Sequence, residues 1–348
     1  MTCEIEALKR LRVWEEPTGS TYYGVSHLIG TPGDGLDLPA IEGTIKPGDD
    51  IETFDPKLAG TLLDYHDEKV LGRLMASLAF SMPLHSHGVS LNGVNTLPTS
   101  STWSQLLMLK AIMGATSTPT NGGARIVVAA GTTTTAVEVT AGRGADFTAG
   151  QAIGVRVGSA AAAIEVREIA SIAGDILTVV EAFSAAPVTG AVVQGAVTVY
   201  LTEDPNTSLQ FLLEGAEAND RREFCGMQGG FKLTANIGEV PQIAFDLKGA
   251  LWTRSSGTLA AGTLTFLSMF AAVFSELRVP TLGSTTRTPV DHSAIAIEVA
   301  IAYAAMKSGT GVNGVKRMRR QRAHPVSKGS FTTIFDDSTW EDHVTNKT

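Results

Sequence analysis

Two histidines one residue apart, His85-Ser86-His87, would share one face of a strand, the arrangement that lets a pair of imidazoles grip a metal ion. Zinc needs a third and usually a fourth ligand, and none follows at a supporting spacing. Tyr65-His66-Asp67-Glu68 and Asp291-His292-Ser293 hold the residue types of acid, base and nucleophile. Neither is accompanied by a Gly-x-Ser-x-Gly elbow or another nucleophile context, so both read as solvated loops. Gly122-Gly123 and Gly229-Gly230 resemble phosphate-cradling turns, but neither completes a Gly-x-Gly-x-x-Gly or P-loop pattern. Cys3 and Cys225 lack the spacing of a disulfide framework or a zinc site. The expectation is therefore no catalytic residue, no cofactor and no metal: not an enzyme.

The marked charge cluster is Lys316, Arg317, Arg319, Arg320 and Arg322, beside His324. It would suit phosphate, an acidic face of a neighbouring subunit, or solvent. In a chain of net charge −8 a stably bound nucleic acid is disfavoured, and subunit contact is the preferred reading. Hydrophobic residues make 43% of the 348 and charged ones 18%, enough apolar material for folded domains. The longest apolar run, Leu264 to Phe274, is broken by Thr265 and Ser268 and falls short of the ~20 residues of a membrane helix. With no basic, apolar leader at Met1-Thr2-Cys3-Glu4, the expected place of synthesis is a cytoplasm.

Stepwise periodicity supplies the elements. Lys69 to Pro83 alternates Leu74, Ala76, Leu78 and Phe80 against Met75, Ser77, Ala79 and Ser81, a strand with one apolar face. Ser101 to Gly114 changes to helical spacing, with Ser100-Ser101-Thr102 as capping region and Gly114 as terminator. Thr116 to Gly123 reads as a linker. Short β-rich runs then follow between 124 and 200, such as Ala136-Val137-Glu138-Val139 and Ile176-Leu177-Thr178-Val179-Val180, separated as in a small all-β barrel or sandwich. After Leu209 to Glu214 and Arg222 to Gly226, strands at Gly230 to Ile237 and Gln242 to Leu251 are joined by Gly238-Glu239-Val240-Pro241 into a hairpin. Thr265 to Leu277 resembles a second helix, its apolar richness leaving a buried strand as the alternative. The division is residues 1–117, an inserted β domain over 118–204, and residues 205–348 completing the first domain.

Phe224-Cys225-Gly226-Met227-Gln228-Gly229-Gly230-Phe231-Lys232-Leu233, followed by Pro241-Gln242-Ile243-Ala244-Phe245-Asp246-Leu247-Lys248-Gly249, resembles the tail tube (major tail) proteins of long-tailed bacteriophages. Val13-Trp14-Glu15-Glu16-Pro17-Thr18-Gly19-Ser20 and the helix end Ile112-Met113-Gly114 are similar to the same family. The likeness spans residues 10–115 and 205–335.

The resemblance implies a mainly β fold, a tail-tube-type sandwich or partly open barrel with long hairpins and one or two helices, the insertion lying on the tube exterior. It implies a virion protein assembled in the host cytoplasm into hexameric rings that stack, with terminator, tape measure and distal tail proteins as partners. Double-stranded DNA would pass through the lumen during ejection. Lumen carboxylates are sought among Glu214, Glu217, Asp220 and Glu223, and inter-subunit contacts among the basic cluster. Rival readings are a tail end-ring or baseplate component, and a glycan-binding β protein. Against the last, aromatics are only 6% of the chain, and 124–200 offers Phe147, Phe183 and Tyr200.

Overall fold

The period-two pattern of Lys69 to Pro83 becomes the strand it predicts, because Ala76, Leu78, Phe80 and Met82 lie in a common core. Our computed structural model describes residues 10–16, 35–41, 43–54, 70–85, 103–117, 125–128, 130–159, 164–202, 208–215, 221–249, 251–255, 277–280, 287–290, 292–301, 303–312, 315–320 and 326–333. The strands are β1 (Arg10–Glu15), β2 (Leu36–Leu38), β3 (Lys46–Phe54), β4 (Val70–Pro83), β5 (Gly114–Ser117), β6 (Val127–Val128), β7 (Ala136–Val139), β8 (Ala152–Arg156), β9 (Ile164–Ala173), β10 (Ile176–Val179), β11 (Gln194–Gly195), β12 (Thr198–Leu201), β13 (Leu209–Glu214), β14 (Arg221–Asn236), β15 (Gln242–Gly249), β16 (Leu251–Ser255), β17 (Leu277–Pro280), β18 (Arg287–Val290), β19 (His292–Ala300), β20 (Tyr303–Val312), β21 (Val315–Arg320) and β22 (Val326–Thr333). One α-helix, α1 (Ser104–Met113), stands among the described residues. The fold is mainly β, with antiparallel sheets and no closed barrel among the described residues.

The large sheet has ten strands and is organised by β14. Its first half, Arg221 to Cys225, lies between β13 and β16 in the order β2-β1-β13-β14-β16. Its second half, Gln228 to Asn236, lies between β15 and β19 in the order β3-β4-β15-β14-β19-β22. Between the halves, Gly226 adopts a φ of 66°, and pairing with β13 jumps from Phe211↔Phe224 to Leu209↔Met227. That bulge lets one strand serve two sheet segments. The two segments share a core in which Phe80 of β4 meets Phe211 of β13 edge-on, ring centroids 6.0 Å apart, and Phe245 at 5.3 Å. Each such buried ring contributes about 1.5–3 kcal/mol of transfer free energy.

Two expectations are corrected here. Gly226 to Gly230 is not a turn between strands but the middle of β14. A Cβ at Gly229 would overlap the carbonyl oxygen of Asp246, and one at Gly230 that of Val299, so glycine is required by close strand approach. The stretch after the helix is likewise no linker as far as Ser117: β5 pairs with β12 from Gly114↔Leu201 to Ser117↔Thr198.

Helix α1 places Leu107, Met108, Ala111 and Ile112 in the same core. Gly114, at φ 106°, ends it by donating its N–H to Lys110 O. Its N-cap is Trp103, which offers no side-chain cap, while residues 100–102 lie outside the described residues. The second helix expected at Thr265 to Leu277 falls outside them too, save for Leu277, which begins β17.

Between β5 and β12 a small sheet runs β11-β8-β9-β10-β7-β6 around its own core of Val137, Val139, Ile153, Ile169, Leu177 and their neighbours. Hairpins β17-β18 and β20-β21 complete the pairings.

Candidate assembly surface

On the six-strand segment of the large sheet, alternation leaves one face to the core and one to solvent. The outer face is short in side-chain bulk and holds exposed lysines: Lys46 on β3, Lys248 on β15, Lys232 on β14 and Lys328 on β22. Asp246 and Glu298 share it, Glu298 lying in register between Lys232 and Lys328. The register of β3 puts Asp50 on the same face as Lys46, so lysines and carboxylates are mixed across it. A groove of about 720 Å3 opens here, with Gly230 and Ala244 leaving side-chain bulk low and Lys232, Asp246, Lys248 and Glu298 around it.

The opposite face runs out of cover towards the β14–β15 turn. Ile237, Ile297 and Phe331 are exposed by 47%, 43% and 44%, although their strand neighbours Ile243 and Val299 are buried. Leu233 of β14 stands opposite Ile297, and Ala235 opposite Ile295, which itself faces Phe331. This is an apolar end to an otherwise packed face.

Both edges of this segment are open among the described residues: β3 pairs with β4 and β22 with β19. The sequence of β3 holds Asp49, Asp50 and Glu52 against Lys46, and that of exposed β22 holds Lys328. The two edges thus carry opposite charge.

The five-strand segment hides a polar face. Arg12 is 2% exposed; its Nε donates to Asp37 at 3.1 Å, and Arg10 donates to the same carboxylate at 2.7 and 2.6 Å. Glu214, sought as a lumen carboxylate, is 3% exposed, with neither oxygen hydrogen-bonded. It stands opposite Arg10 and Arg221 in register, but those guanidiniums turn to Asp37 and Glu223, Arg221 reaching Glu223 at 3.2 Å. In this chain Glu214 is therefore buried and Glu223 half-buried. Glu217 and Asp220 lie outside the described residues.

At the β14 bulge, Glu16 is buried and accepts from two sides: the Gly226 N–H at 2.7 Å and the Ser208 hydroxyl. Its own N–H donates to Ser208 O at 2.9 Å. Sequence reading gave this carboxylate no role, because nothing in the sequence ties Glu16 to Gly226, 210 residues away. Burial, with the nearby charges of Glu16 and Glu223, pushes the Cys225 thiol up to about 12. Such a thiol is inert.

The remaining sequence candidates separate. His85 is buried with its ring against Trp103, while His87 and residues 65–68 lie outside the described residues. His292 is buried at the start of β19, paired with Thr333, so the loop expected there is a strand. Among the described residues no cluster of three or more His, Cys, Asp or Glu could hold a metal ion. Lys316, Arg317, Arg319 and Arg320 fall on β21, whose partner is β20, and Arg322 lies outside the described residues. Phe147 and Phe183 are buried beneath Arg125 and Arg167, each guanidinium 5.4 Å from its ring, so neither offers a platform for a sugar. No helix among the described residues is long and apolar enough to cross a membrane.

No family model matches the chain, and no curated protein matches it.

Proposed function

We propose that the chain is a structural ring subunit of a bacteriophage tail tube, assembling by joining β3 of one copy to β22 of the next. The observation that carries this reading is the pair of open, oppositely charged edges on one six-strand segment. An unpaired edge is a template for another strand, and two different edges meet head to tail, the contact that makes rings when the rotation closes. Ile237, Ile297 and Phe331 supply apolar surface to be covered by the same neighbour. The mainly β fold with 14- and 16-residue strands agrees with the sequence likeness.

In this reading the assembly conducts double-stranded DNA and performs no chemistry. Its place is the virion tail, built in the host cytoplasm with terminator, tape measure and distal tail proteins. The hairpin β20-β21, with Lys316, Arg317, Arg319 and Arg320 in its sequence, contributes to contact between copies.

Negative-stain electron microscopy over a concentration series tests it. Rings or tubes of uniform diameter with an open centre are the expected result. Monomers at every concentration would refute the ring subunit.

A further inference from the structure

The six-strand segment restricts how another copy can join it. All five pairings within it are antiparallel, so its edge strands β3 and β22 run in opposite directions. Copies related by rotation about one axis keep a common direction, and β22 of one copy therefore meets β3 of the next as an antiparallel strand. The hydrogen bonds inside the segment show which backbone groups are left over. Ser81 turns both of its groups towards the β3 side, its N–H donating to Thr44 Oγ1 at 3.0 Å and its carbonyl accepting from the Ile41 N–H at 2.8 Å. Alternation then bonds Lys46 to Ala79 and Gly48 to Ser77, and leaves the backbone groups of Pro47 and Asp49 on the open edge. Pro47 costs the ladder nothing there, because its missing N–H is on the side away from β4. At the other edge, the Ser293 carbonyl accepts from the Ile237 N–H at 2.9 Å, so Ile295, Ile297 and Val299 bond towards β14. Their β22 partners Phe331, Gly329 and Ser327 keep their backbone groups on the open edge.

Two positions choose the register. Every residue from Ser327 to Thr332 is exposed, so the rest of the chain leaves β22 uncovered on both faces. On the solvent face, Lys232, Glu298 and Lys328 stand in register on β14, β19 and β22, a row of alternating charge that stops at the open edge on a lysine. A carboxylate continues the row, and the register of β3 offers Asp50 on that face. Setting Asp50 opposite Lys328 brings Pro47 opposite Phe331 on the other face, where the ring is 44% exposed. It also sets Gly48 against Ser330 and Asp49 against Gly329, so no like charges meet. A shift of two residues one way leaves Lys328 opposite Gly48, and the other way sets Phe331 against Asp49. We propose that β22 of one copy and β3 of the next join antiparallel with Asp50 opposite Lys328 and Pro47 opposite Phe331. The inference rests on the ring-subunit reading and adds to it the register in which one subunit's ladder continues into the next.

Across such a join Asp50 and Lys328 form a pair without mutual backbone hydrogen bonds, with Cα atoms about 4.5 Å apart and within disulfide reach. The double variant D50C/K328C in a Cys3→Ser background, where the remaining Cys225 is buried, tests the register by oxidation of assembled material. Covalent multimers that a reductant dissolves are expected, and G48C/K328C, one register step away, should give none. Particles in the microscope whose D50C/K328C chains stay monomeric on a denaturing gel would overturn the register and leave the ring subunit standing. Multimers from G48C/K328C in their place would overturn it by a shifted register, and dimers from K328C alone by a pairing of β22 with β22. Absence of particles and multimers from every variant and from the unaltered chain would overturn the register and the ring reading together. Charge exchange supplies a second readout. D50K and K328D should each raise the concentration needed for assembly about tenfold, and D50K/K328D should return it close to the starting value. A double exchange no better than either single one would contradict the pairing.

Discussion

The small sheet closes its polar account internally. Arg125 donates to Asp146 at 3.1 Å and stacks on Phe147, and Arg167 binds Glu165 at 2.6 Å, the Ala182 carbonyl at 3.1 Å and the Phe183 ring. The large sheet, with its helix, does not. Glu214, Gln105, the Trp14 indole nitrogen and Arg221 Nε are buried without a hydrogen-bond partner. Both sheets leave apolar side chains in the open, Ile237, Ile297 and Phe331 on the large one and Val166 and Val180 on the small one. Buried polar groups are normally satisfied, so the difference separates a unit whose buried charges pair within its own strands from one that leaves several buried polar groups unpaired.

The largest test of that separation is a cavity in the shared core. Phe211→Ala removes the ring that meets Phe80 and should cost the large sheet about 3–5 kcal/mol. Calorimetry should show its transition falling while the transition of the small sheet stays in place. A common shift would mean that the two cores melt as one.

Asp146→Ala makes the reciprocal break. It leaves the buried Arg125 guanidinium without its carboxylate, and a broken buried pair costs about 3–5 kcal/mol before solvent relieves it, so about 2–4 is expected. The lower transition should now be that of the small sheet, read by the same calorimetry.

How much of this was legible follows from where burial and alternation agree. Strands β4 and β15 could be read directly, because Leu78, Phe80, Ile243, Phe245 and Leu247 are buried and their alternates are not. The runs of the small sheet were legible for the same reason. Strand β14 was divided because glycines usually mark turns, whereas Gly229 and Gly230 serve close approach to β15 and β19. The burial of Glu214 was not legible because carboxylates are usually solvated, and only strand pairing shows it between two arginines already engaged elsewhere. The open edges could not be foreseen, since neighbours such as β19 and β22 are a property of the folded sheet.

A smaller effect tests the bend that joins the two segments. Glu16→Gln keeps the shape but replaces one acceptor oxygen with a donor facing either the Gly226 N–H or the Ser208 hydroxyl. A loss of about 1–3 kcal/mol is expected in the large sheet alone, measured by urea unfolding. The smallest belongs to Asp175 in the small sheet. The Gly144 N–H, and then the Gly142 N–H, each at 2.9 Å, hold its carboxyl below the ordinary 3.8. Its ionised form is favoured by folding, so this contribution is present above pH 3.8 and fades as pH falls through the lower folded value. Asp175→Asn should flatten that part of the acid-unfolding profile of the small sheet and leave the large one unchanged.

Hydrogen exchange of the backbone amides, compared between dilute and assembled protein, tests edge-to-edge joining most directly. Amides of β3 and β22 should gain protection on assembly, while β7 to β10 of the small sheet keep the protection they had. Assembly that leaves β3 and β22 exchanging as in the dilute chain would contradict the account.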